Sequence, residues 1–216
     1  MANLIKGIDV SRWQGPNINW QLVKSGGYLF SFMKATDGSA YKQQFIDMGI
    51  QQAQEAQSAG LKIGYYHFAH PSNFKGLEQD AEDEANYFIT TIKSFPKPNF
   101  PLVLDFEDEK IALSESEAEK WITVFQSILT NANYEMILYS YRGYLNRTLP
   151  SNHKLGALPL WLASYPKNFD KNKSPLNPTG WNSWAIWQYS DNGKVKGITL
   201  TGCDLDLMTK EFFDKY

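Results

Sequence analysis

The chain has 216 residues, 43% of them apolar and 20% charged, which supports a sizeable core and excludes a disordered chain. Its net charge of −2 gives no electrostatic case for nucleic acid or an anionic membrane, so neither is an expected partner. The lone Cys203 excludes an internal disulfide and a cysteine metal site, and no run of 18 apolar residues exists to span a bilayer.

The stretch from Met1 to Asp9 has no charged region followed by a long apolar run and a cleavage site. It reads directly as a first strand, so a protein made in the cytoplasm without a secretory signal is expected. Ile5–Val10 is strand-like, and Ile18–Ser25 is a short helix ended by Gly26 and Gly27. Tyr28–Thr36 is β-rich; Phe45–Ala59 has helical spacing and stops at Gly60, a usual residue just past a helix end. Leu61–Ala69 is an aromatic-rich strand and Leu77–Ile92 a helix, followed by a strand over Pro101–Glu107. The next helix opens on Ser114-Glu-Ser-Glu117, a capping-box pattern, with Ala118, Trp121, Ile122, Phe125 and Leu129 on one stripe. Glu135–Ser140 is a strand, a short helix lies near Tyr141–Leu145, and Leu158–Ser164, Trp184–Tyr189 and Cys203–Leu207 complete eight strands.

Most of these strands are near-continuous apolar runs, the pattern of parallel strands buried on both faces. Helices between the later strands are short or missing. The expected architecture is therefore α/β: one domain over residues 1–216, an irregular, flattened (β/α) barrel of the TIM type. In such barrels the chemistry collects at the carboxyl ends of the strands. Acids and aromatics do gather there: Asp9, Lys34, Tyr66 and Phe68, Asp105 and Glu107, Tyr139, Trp161, Trp187, and Asp204 at the start of the last strand.

Asp105 and Glu107 are the most telling of these. An isolated Asp-x-Glu also suits a strand running out into solvent. As a strand pair, however, both side chains project from one face, roughly 6.6 Å apart along the chain. Two carboxyls delivered to one buried spot suit acid/base chemistry, where one acid keeps a proton while its neighbour stays ionised. A neighbouring ionised Asp105 is expected to hold the Glu107 proton by like-charge repulsion. His67 and His70 read as structural, and with three histidines in all and no HExxH a metal-dependent hydrolase is poorly supported. No cofactor is expected.

At Gly7-Ile-Asp-Val-Ser-Arg-Trp-Gln-Gly15, Lys34-Ala-Thr-Asp-Gly38 and Gly64-Tyr-Tyr-His-Phe-Ala69 the chain resembles glycoside hydrolase family 25. The resemblance continues through Leu102-Val-Leu-Asp-Phe-Glu107, Leu160-Trp-Leu-Ala163, Trp187-Gln-Tyr189 and Cys203-Asp-Leu-Asp206, seven motifs in register over essentially the whole chain. It implies a lysozyme-type muramidase that cleaves the β-1,4 bond between N-acetylmuramic acid and N-acetylglucosamine in peptidoglycan. By matching motifs it implies Glu107 as general acid, with Asp105, Asp9 and Asp204 as accompanying carboxylates. The chain departs from the family at Asp37, where Glu is common, and at Asp206, where Asn is common.

Three mechanisms remain open at this point: a retaining attack by Asp105, an inverting water, or attack by the substrate's own acetamido group with Asp105 orienting it. Lys34, Tyr66, Phe68, Tyr139, Trp161 and Trp187 are candidates for sugar contact, with 15% aromatic residues exceeding what a core needs. A carbohydrate-binding barrel that lost catalysis and a chitinase-like glycosidase are the rival readings. A monomer acting on the bacterial wall after phage-type lysis is the expected setting, with no stable membrane association.

Overall fold

The computed structural model describes residues 4–110 and 113–216. Eight strands close into a barrel in sequence order: β1 (Leu4–Val10), β2 (Phe30–Asp37), β3 (Lys62–Phe68), β4 (Leu102–Asp105), β5 (Met136–Tyr141), β6 (Leu160–Ala163), β7 (Ile186–Gly193) and β8 (Cys203–Thr209). Between them lie α1 (Trp20–Ser25), α2 (Gln43–Ser58), α3 (Leu77–Ile92), α4 (Glu115–Asn131) and α5 (Arg142–Thr148); α6 (Lys210–Lys215) follows β8. The fold is the expected α/β barrel, and it is irregular where expected: no α-helix joins β6 to β7 or β7 to β8. Among the described residues no helix is long and apolar enough to cross a membrane.

The parallel pattern holds for most strands, as their apolar runs point to: β1 to β7 pair parallel in order, but β8 pairs antiparallel with both β7 and β1. The physical reason is loop length. Only residues 194–202 separate β7 from β8, fewer than the dozen or more that a parallel crossover needs. The reversal matters for the site: the beginning of β8, not its end, reaches the barrel rim where the other strands finish.

The long helices bury the stripes their sequences set out. The α4 cap forms as anticipated, with Glu117 N–H donating to Ser114 Oγ and Ser114 N–H donating to Glu117 Oε2 at 2.8 Å. Ala118, Trp121, Ile122, Phe125 and Leu129 then face the barrel, fully or almost fully buried. Inside the barrel a second cluster packs Phe30, Phe32, Phe100, Val103, Ile137, Tyr139, Trp161, Ile186 and Met208. Two glycines make room for it: a Cβ at Gly7 would lie 2.2 Å from the Phe30 ring, and one at Gly64 2.2 Å from Phe32. This aromatic plug leaves the upper end of the barrel open as a cleft, and Trp161 and Tyr139 form part of its floor.

Candidate active site

Every strand contributes a side chain to this cleft, a cavity of about 280 Å³. Asp9 comes from β1, Lys34 from β2, Tyr66 and Phe68 from β3, Asp105 from β4, Tyr139 from β5, Trp161 from β6, Gln188 from β7 and Asp204 from β8. Strand register makes the ring. Lys34 lies beside Tyr66, Phe68 beside Asp105, Asp105 beside Tyr139, and Tyr139 beside Trp161. Because β8 runs backwards, Asp204 is the cross-strand partner of Asp9, and Asp206 the partner of Gly7 one step deeper.

Glu107 lines the same cleft, though not by strand alternation. β4 ends at Asp105, and the chain then turns over the rim. Phe106 is the pivot: its N–H donates to Tyr139 O at 3.0 Å, its carbonyl accepts from Ser140 Oγ at 2.7 Å, and its ring is buried beside Trp121 and Tyr144. With Phe106 fixed outward, its two neighbours fall on the cleft side.

Burial is the first cause of the titration of both acids. It pushes Glu107 up to about 7; Lys34 opposes the rise and Glu109 adds to it. Asp105 is also raised well above the usual carboxylate range, by burial first and by Glu107 second. Its Oδ1 is buried and takes no hydrogen bond among the described residues. The sequence reading made an ionised Asp105 the reason for a protonated Glu107. The structure instead has the two raised together by desolvation, so the pair titrates as a unit and holds a proton at neutral pH.

The opposite wall is a cluster of three acids. Gln188 Nε2 donates to Asp9 Oδ2 at 2.8 Å, while Gln188 Oε1 accepts from Tyr139 Oη at 2.8 Å and from Tyr165 Oη at 2.5 Å. Trp161 Nε1 donates to Asp206 Oδ1 at 2.9 Å, and Asp206 Oδ2 is buried with no partner among the described residues. Burial raises all three acids: Asp204 to about 9 with Asp9 beside it, Asp9 with Asp206 beside it, and Asp206 with Asp204 beside it. Among the described residues none of the three forms a salt bridge, and the group holds protons instead. Among the described residues no three His, Cys, Asp or Glu side chains converge as metal ligands.

One candidate is not brought to the cleft. Trp187 is only 1% exposed and packs outside the barrel against Phe169, Trp184 and Tyr189, its Nε1 donating to Ser164 O at 2.8 Å. Adjacent strand residues face opposite ways, so placing Gln188 inward forces Trp187 outward. Sequence reasoning overlooked Gln188, Tyr165, Asp206 and the exposed Trp13 as cleft or floor residues. Parity with Ile186 would have found Gln188, and parity with Asp204 would have found Asp206. Trp13 stands on a short turn, Arg12–Gln14, with the Arg12 guanidinium 4.6 Å from its ring centroid. Gln52 on α2 holds this turn by donating to the carbonyls of Ser11 and Gly15.

The sequence profile described as "Glycosyl hydrolases family 25" matches residues 8–198. The chain is 32% identical to Lysozyme M1 of Streptomyces globisporus over 204 residues, covering 90% of this chain and 65% of that protein. It is 29% identical to the N,O-diacetylmuramidase of Chalaropsis sp over 196 residues, covering 87% and 88% of the two. The crystal structure of the bacterial lysozyme from Streptomyces coelicolor superposes with a TM-score of 0.77 at 29% identity, covering 95% of this chain and 92% of that one. The chain spans just under two thirds of Lysozyme M1, and about half of the clostridial and streptococcal-phage lysozymes that it also matches. A profile match over most of the sequence, on a barrel that shares its fold with a solved lysozyme, assigns the family: the chain belongs to glycosyl hydrolases family 25.

Proposed function

We propose that this chain is a single catalytic domain that hydrolyses the β-1,4 bond between N-acetylmuramic acid and N-acetylglucosamine in bacterial peptidoglycan. One observation carries the reading: Glu107 stands at the carboxyl end of β4 beside a buried Asp105 whose Oδ1 has no donor among the described residues. Glu107, raised to about 7, keeps a proton near neutrality to give to the departing glycosidic oxygen. Asp105 serves the other side of the reaction. Its free oxygen suits the N–H of the substrate's 2-acetamido group, whose carbonyl oxygen then attacks the anomeric carbon; water opens the resulting ring with retention. A donated N–H would also stabilise the ionised form of Asp105, shifting the pair's proton to Glu107 as substrate binds.

Lys34, Tyr66, Phe68, Tyr139 and Trp161 shape the cleft around the sugar chain, and the Asp9, Asp204 and Gln188 wall closes it. The working form proposed is a monomer without a cofactor, and the net charge of −2 offers nucleic acid nothing. The phage lysozymes among the relatives support release to the wall through a membrane lesion.

The test is mass spectrometry of fragments released from purified peptidoglycan, with the anomer of the first product read by NMR. Reducing-end muramic acid formed with retention is expected. Reducing-end glucosamine would replace the bond assignment with a chitinase-like one. Wall binding without any release would leave a carbohydrate-binding barrel, and an inverted product would exclude the acetamido route.

A further inference from the structure

Glu107 sits on a segment that has left the sheet, so strand hydrogen bonds do not fix it. Phe106 anchors the segment on one side. On the other side the anchor is Asp108, whose Oδ2 lies 2.6 Å from His70 Nδ1. The other ring nitrogen, His70 Nε2, lies 2.7 Å from Asp37 Oδ1. Asp37 in turn pairs through Oδ2 with Lys34 Nζ at 2.5 Å. Lys34 lines the cleft with its ammonium 4.4 Å from the Phe68 ring centroid, and it lowers both Asp105 and Glu107.

The chain Asp108–His70–Asp37–Lys34 thus links two parts of the cleft that share no strand pairing. We propose that His70 is a positioning residue, a clip that fixes the segment carrying Glu107 to the end of β2 carrying Lys34. The inference rests on the muramidase reading for its kinetic consequence and on geometry alone for the clip.

The geometry demands two donors. Both nitrogens of His70 face carboxylate oxygens, so both carry protons and the ring is a cation between two anions. Titration agrees: the hydrogen bond to Asp37, then against burial that to Asp108, raise His70 to about 9. Asp37 stays below the usual carboxylate range, because His70 and Lys34 outweigh its burial. The other charged group facing His70 is Glu84 from α3, whose carboxylate accepts from the His70 backbone N–H at 3.1 Å. Glu84 also lies 2.7 Å from His67 Nε2, so the backbone that presents the clip is itself anchored in the core. Two further contacts hold Asp108, with Lys110 N–H donating to its Oδ1 and Tyr144 Oη to its carbonyl.

His70→Phe keeps the ring and removes both donors. In that variant, amide hydrogen exchange over residues 107–110 should speed up while exchange in the barrel strands stays as in the wild type. On soluble peptidoglycan fragments kcat should fall ~10-fold with KM within about twofold, since misplacing a catalytic group costs rate more than binding. Asp108→Ala should lose a similar factor, and the double variant little more than either, because the two side chains form one contact. Unchanged exchange at 107–110, a wild-type kcat in His70→Phe, or losses that multiply in the double variant would overturn the clip. If the wild-type protein releases no muramic ends, the muramidase reading fails, and the exchange experiment still decides the clip.

Discussion

On the β4 wall of the cleft, Asp105 and Glu107 face a cation, Lys34, tied into the network of Asp37, His70 and Asp108. On the β1–β8 wall, Asp9, Asp204 and Asp206 face one another, with Gln188 donating to Asp9 and Trp161 to Asp206. Both walls bury carboxyls, and burial raises all five. The difference lies in their neighbours. Lys34 opposes the rise of Glu107, which reaches about 7 and can exchange its proton at working pH. Asp9 adds to the rise of Asp204, which reaches about 9 and stays protonated. Glu107 is poised to move a proton and Asp204 to keep it.

Removing the mobile proton should have the largest effect. Glu107→Gln keeps shape and hydrogen bonding but cannot protonate the leaving oxygen, so kcat should fall by ~10³ while wall binding persists. A variant that still released muramic ends at the wild-type rate would move the acid elsewhere in the cleft. Asp105→Asn should cost less, ~10²-fold, because the amide keeps one acceptor oxygen but carries no charge to support the oxazolinium-like centre of the proposed acetamido route. If Asp105→Asn lost nothing, Asp105 would be a passive floor residue and the two walls would differ less than their charges suggest.

Much of this contrast is legible in the sequence. The apolar run into Asp105 and Glu107, the Ser114–Glu117 cap and the helix stripe of Trp121 and Phe125 each follow from local patterns that tertiary structure leaves intact. What was hidden is what depends on direction or on neighbours. The clustering of acids at the rim includes Asp204 only because β8 is reversed, and the apolar pattern of a strand does not encode its direction. The short 194–202 connection settles the direction only once β7 is seen to run to Gly193; with a strand ending at Tyr189, the residues from 190 to 202 leave room for a crossover. Glu107 faces the cleft through the Phe106 pivot and not through alternation past the end of β4. Trp187 drew attention as an aromatic, yet its polar neighbour Gln188 is the inward residue and the joint between Asp9, Tyr139 and Tyr165.

The role given to Lys34 makes the contrast measurable without abolishing the reaction. Glu107 loses its proton near 7, so kcat/KM should decline as pH rises through that value. Lys34→Met removes the charge that stabilises ionised Glu107 and Asp105. The alkaline limb should then move upward by about half a unit to one unit. The maximal rate should drop by ~10-fold or less as the cleft loses a proposed sugar contact. A limb that stays in place would separate Lys34 from the proton on Glu107.

The smallest effect belongs to the other wall and is read in stability. Asp206 is fully buried, with one oxygen on Trp161 and the other without a hydrogen bond among the described residues, and burial and Asp204 raise it well above its ordinary value. The folded chain therefore holds a proton at Asp206 that the unfolded chain gives up near pH 4. Where the native state binds more protons, stability falls as pH rises, from the unfolded value up to the folded one. At neutral pH this cost is present; below about pH 4 it is absent, since both states are then protonated. Asp206→Asn removes the titration and keeps an oxygen for Trp161 Nε1, while its amide can donate toward Asp9. It should gain about 1 kcal/mol, ~2–4 °C in Tm, at pH 7 to 8, and the gain should vanish near pH 4. A gain of the same size at both pH values would trace the effect to packing, and a loss at neutral pH would show that the acid cluster is held together by the proton that Asp206 contributes.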